Sequence, residues 1–177
     1  MVLRFIRFKK YKHTKLKSII YREKEKYSNK MKEKYISKKK SLLIFGLNSS
    51  GKSKELNKLY KNREFLFDKS KNSFINICST DSIAEILYKN ISDVDVEDYI
   101  LSLDDSKQLL VEKDKSKQYF KIEVLKYKSI KSILFIDDLD RFTGKKLEVL
   151  KTLIKVCKIL YASSKSDKNI NKTIFSI

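Results

Sequence analysis

Two short stretches, GLNSSGKS at 46–53 and ILFIDDLDRF at 133–142, hold the residue types from which a reaction could be built. The chain has only three glycines and no proline, so two glycines five residues apart in front of a lysine are a large local investment. Gly46 and Gly51 permit backbone angles and close approach that a β-carbon would forbid, letting the amides of the intervening Asn48, Ser49 and Ser50 converge on phosphate oxygens. Lys52 supplies a flexible charge to β- and γ-phosphates, and the Ser53 hydroxyl can join the coordination of Mg²⁺. The pattern of glycine, four residues, glycine, lysine and serine is that of a phosphate loop. From this composition it arises by chance on the order of once in a thousand chains. A helix starting at the loop adds the positive end of its dipole.

In the second stretch four apolar residues lead into carboxylates. A buried strand that ends in acids places charge at the carboxyl edge of a parallel sheet, the edge where a phosphate loop also lies. Asp137 is then placed to hold Mg²⁺ through water, and Asp138 to polarise an attacking water. Asp140 reads as a favourable charge at a helix start, and Arg141 as a salt-bridge partner for Asp138 or Asp140.

These residues need strands and helices in alternation. SLLIF before the loop is an unbroken apolar run, as in parallel strands buried on both faces. KSKELNKLYKN follows with Leu56, Leu59 and Tyr60 at helical spacing. FINICST (74–80) predicts a second strand, with a helix after it that carries Ile83, Ile86 and Leu87 and takes Asp81 as N-cap. SILFIDD (132–138) predicts a third strand. Leu147, Leu150, Leu153, Ile154, Cys157 and Leu160 predict one long helix, and KTIFSI a terminal strand. Residues 91–130 are charged and helix-permissive, without a clear period. The order predicts an α/β fold around a parallel sheet.

GLNSSGKS together with ILFIDDLDRF resembles the Walker A and Walker B pair of additional-strand P-loop ATPases, the group containing the AAA+, STAND and KAP-type NTPases. The DDLDR tail is most similar to the STAND and KAP branches. The resemblance spans residues 41–177 in order and rests on those two motifs. It implies a three-layer P-loop NTPase core, ATP and Mg²⁺ as cofactors, and ATP hydrolysis. It implies Lys52 and Ser53 as nucleotide and Mg²⁺ residues, Asp137 as the Walker B acid and Asp138 as the catalytic acid. Many AAA+ proteins carry Glu at that last position, and Asp is one methylene shorter. In that group a strand lies between the Walker A and Walker B strands. FINICST is well placed to be it, and TIFSI is expected as the fourth core strand inserted between the same two, since SSKSDKNINK is too short and polar for a crossover from an earlier strand at ILYAS. The core would then be incomplete at its C-terminal end, without a lid, and the edge beside SLLIF would favour a second copy or a partner chain.

Length and charge bound the rest. A chain of 177 residues suits one core. Residues 1–40 hold 16 Lys or Arg against three Glu, and the remainder 25 against 19 acids. The basic arm can bind nucleic acid or an anionic membrane surface, although 36 of the 41 basic residues are Lys, a skew that base composition alone can produce. Leu16, Ile20, Tyr27, Met31 and Tyr35 predict an amphipathic helix over about 14–38 of the arm. No apolar run reaches the roughly 18 residues of a membrane span, and the N-terminus lacks a signal-peptide core, so a cytoplasmic protein is expected. Cys78 and Cys157 read as buried free thiols. His13 is the one histidine and reads as a solvated residue of the arm, so a multi-histidine metal site is excluded. A GTPase would need Asn-Lys-x-Asp, which SSKSD (163–167) only mimics, and a glycine where Asp140 stands. Two readings remain: a Mg²⁺-dependent ATP-binding protein that hydrolyses ATP, and a nucleotide-regulated scaffold or nucleic-acid-binding module with little turnover.

Overall fold

The computed structural model describes residues 4–7, 41–46, 48–111 and 114–165. The helix expected over 14–38 and the strand expected at TIFSI lie outside them. The described chain is an α/β fold whose sheet has the order β1-β2-β5-β4-β3. Strands β2 (Leu42–Phe45), β3 (Ser73–Cys78), β4 (Ser132–Asp137) and β5 (Ile159–Ser164) are mutually parallel. Strand β1 (Arg4–Arg7) is antiparallel to β2, with Arg7 opposite Leu42.

The apolar runs become strands because each buries both of its faces. Alternation along β2, β4 and β5 sends Leu43, Leu134, Ile136, Leu160 and Ala162 into one buried cluster and Leu42, Ile44, Ile133, Phe135, Ile159 and Tyr161 into another. The second cluster is closed by Leu56 and Leu59 of α1 (Lys52–Lys61) and by Phe67, just past the short α2 (Arg63–Leu66). The first is closed by α3 (Ile83–Asn90), α6 (Gln118–Ser129) and α7 (Gly144–Val156) through Ile86, Leu87, Leu125, Leu150 and Leu153. Between α3 and α6 the unperiodic stretch forms α4 (Asp93–Leu101) and α5 (Asp105–Val111). Helix α4 is fixed to α6 by Lys128, whose Nζ donates to Asp95 Oδ2 at 2.7 Å. Burial alone would raise the Asp95 pKa. Hydrogen bonds from Lys128 and Ser92 outweigh it and hold the carboxyl below its ordinary value, so the bond is lost as pH falls through that lowered value.

Four expectations are corrected. The long helix ends at Val156, and Cys157 is extended at φ −61°, ψ 151°. Cys157 and Leu160 nevertheless enter the same buried cluster as Leu150, Leu153 and Ile154, which is why their spacing imitates one helical stripe. Strand β5, and neither FINICST nor TIFSI, therefore lies between β2 and β4, and FINICST forms β3 at the outer edge. The 13-residue α7 supplies the crossover that a parallel connection requires. The edge beside SLLIF is not bare, because Arg4–Arg7 of the basic arm pairs with it as a strand. The N-cap of α3 is Ser82, which shares a capping box with Glu85, whereas Asp81 accepts from the Cys78 amide at 3.1 Å.

The outer edge of β3 is closed by a side chain. Asn90 Oδ1 accepts from Asn76 N at 2.9 Å, and its Nδ2 donates to Asn76 O at 3.0 Å and to Ile86 O at 2.8 Å. One buried amide thus imitates a neighbouring strand. We expect Asn90→Ala to lower stability by about 2–3 kcal/mol, since it orphans backbone groups beside the core. The check is a lower urea midpoint at unchanged slope. Among the described residues no helix is long and apolar enough to cross a membrane.

Candidate functional site

The loop from Gly46 to Gly51 joins the carboxyl end of β2 to α1. Gly46 N donates to Ser164 O at 3.3 Å, tying the loop's start to the end of β5. Ser49 and Gly51 are left-handed, at φ 60° and φ 85°, and this reverses the chain into the helix. A β-carbon on Gly51 would meet nothing within 4 Å, so the demand for glycine there is conformational, about 1 kcal/mol, rather than steric. Asn48 and Ser49 are exposed. Ser50 and Lys52 are buried, and Lys52 opens α1. The Ser50 hydroxyl is buried without a hydrogen-bond partner among the described residues. Such a group carries an unmet desolvation penalty of about 1–3 kcal/mol.

Ser53, one residue into the helix, donates from Oγ to Asp137 Oδ1 at 2.9 Å. Asp137 ends β4, so the bond joins the two motifs across 84 positions. Asp137 Oδ1 also accepts from Ser163 Oγ and from the Asp138 amide, the latter at 3.1 Å. Ser163 Oγ in turn accepts from that same amide at 2.9 Å. The carboxylate is thus held by the loop helix, by β5 and by its own strand end.

Asp138 sits at φ 50°, ψ 53°, a left-handed conformation that Asp tolerates better than most residues, and a 3₁₀ turn over Leu139–Arg141 follows. Its Oδ2 lies 3.6 Å from Arg141 Nε. Asp140 does more than decorate a helix start: Oδ1 accepts from Ser164 Oγ at 3.0 Å and from Lys165 N at 2.8 Å, linking the ends of β4 and β5.

The structure therefore brings Ser53 and Asp137 into contact, sets Lys52 one residue before Ser53, and leaves Asp138 paired with Arg141. Reading the sequence missed Ser163 and Ser164. The available signal was the ending of ILYASS, where two small polar residues close an apolar run at the sheet edge that also carries Gly46 and Asp137. Among the described residues no group of three or more His, Cys, Asp or Glu could hold a metal ion. Ser53 and Asp137 offer one hydroxyl and one carboxylate oxygen. That hard but sparse donor set suits a cation that keeps most of its water and takes its other oxygens from phosphate, as Mg²⁺ does. Comparison with family models, with curated proteins and with solved structures gives no match for this chain.

Proposed function

We propose that the chain is a Mg²⁺-dependent ATPase with a three-layer P-loop core of the AAA+, STAND and KAP type, acting in the cytoplasm. The observation that carries this reading is the 2.9 Å bond from Ser53 to Asp137, which unites the glycine loop with the acidic strand end. The orphaned Ser50 hydroxyl supports it, because a phosphate oxygen would give that group a partner. In this account the loop amides and Lys52 bind the terminal phosphates, while Ser53 and Asp137 hold the metal. Bound Mg²⁺ supplies charge neutralisation at the phosphate oxygens. Ser163 fixes the orientation of Asp137. Asp138 holds a water and accepts its proton as the water oxygen bonds to the γ-phosphorus and the bond to the β-phosphate oxygen breaks.

One observation favours the second reading, a nucleotide-regulated scaffold with little turnover. Asp138 Oδ2 lies 3.6 Å from Arg141 Nε, so the carboxylate already has a charged neighbour that competes with a water for its oxygens. Phosphate release separates the two. The ATPase reading expects inorganic phosphate in proportion to protein, abolished by EDTA. ATP bound without release of phosphate would leave the scaffold reading.

A further inference from the structure

Helix α4 presents a face that nothing in the described chain covers. Asp93, Val94, Glu97, Asp98 and Leu101 fall on one side of the helix and are all exposed, Val94 by 63% and Leu101 by 75%. The opposite side rests on α6, where Tyr99 packs against Phe120 and Tyr127. The carboxylates of Asp93, Glu97 and Asp98 enter no ion pair among the described residues, whereas Asp95 is paired with Lys128. Residues 90–106 contain six acids and no Lys or Arg, in a chain whose net charge is +19. Two large apolar side chains set among unpaired acids make a surface fitted to a basic amphipathic segment.

This chain contains such a segment. Residues 14–38 hold nine Lys or Arg against three Glu, with an apolar stripe at three-to-four spacing. We propose that the α4 face docks residues 14–38 of a second copy of this chain. The arm is rooted at one edge of the sheet, where Arg7 stands opposite Leu42. Helix α4 packs on α6, which covers β3 and β4 at the other edge. Arg4–Arg7 and the acidic face thus stand at opposite edges of the sheet, and the contact proposed is between copies, head to tail. The charges steer and orient the encounter, and Val94 and Leu101 supply apolar contact. The proposal does not depend on the nucleotide site.

The test is light scattering coupled to gel filtration on the full chain, after nuclease treatment, at about 0.05 M and 0.5 M salt. The wild type is expected to grow in mass with concentration at low salt and to return to a monomer at high salt. The reversal Asp93→Lys, Glu97→Lys, Asp98→Lys should be monomeric at both, and Val94→Ser with Leu101→Ser should weaken association while leaving the charge intact. All five positions are exposed, so thermal midpoints should stay near that of the wild type. A wild type that is monomeric at low salt overturns the proposal. So does association that survives the charge reversal, or association that nuclease removes, which would assign the arm to nucleic acid instead.

Discussion

Lys52→Ala is expected to weaken ATP binding by about 10- to 100-fold, because a charge-assisted hydrogen bond to the terminal phosphates is worth about 1.5–3 kcal/mol. The loop amides that remain can still cradle an anion, so a nucleoside monophosphate should lose much less affinity than the triphosphate. Lys52 is also buried at the start of α1, and its loss must be separated from simple unfolding. A retained thermal midpoint with lost ATP binding, measured by displacement of a fluorescent analogue, would assign the effect to phosphate contact. Wild-type affinity in the variant would remove Lys52 from the site.

Asp138→Asn should act on turnover and spare binding. The phosphate loop, Ser53 and Asp137 are untouched, and Asn tolerates the left-handed backbone found at this position. Removing a general base typically slows a reaction by 10²- to 10⁴-fold, so phosphate release should fall by about a hundredfold or more while ATP affinity changes by about twofold or less. Equal losses of binding and turnover would make Asp138 a structural or metal-holding residue. Arg141→Ala provides the complementary case: it frees the Asp138 carboxylate from its 3.6 Å neighbour, and turnover should hold steady or rise.

The parts of the fold that were legible in the sequence are those in which a strand is apolar without interruption. SLLIF and SILFIDD became β2 and β4, because burial on both faces leaves an unbroken apolar run, and FINICST became the edge strand β3, where Ile75 and Ile77 alternate with half-buried neighbours. Strand β5 was hidden for a different reason. Cys157 and Leu160 point into the cluster already occupied by α7, so the spacing of a helix continued through residues that are extended. Strand β1 lay inside a stretch dominated by charge, and its pairing with β2 depends on backbone hydrogen bonds that side-chain patterns do not announce. At the candidate site, the glycine loop and the acids were legible as fixed residue types at fixed spacing, and the structure brings Ser53 of the one to Asp137 of the other. Ser163 was not, since one hydroxyl acquires meaning only when β5 sets it against Asp137.

Equilibrium dialysis of labelled ATP against the full chain tests whether residues 46–53 and Asp137 form one Mg²⁺-dependent triphosphate site. Saturable, equimolar binding is expected, strengthening when Mg²⁺ is added, with the Mg²⁺ effect lost in Ser53→Ala and in Asp137→Asn. No saturable binding, or binding that ignores both Mg²⁺ and these two substitutions, would contradict it.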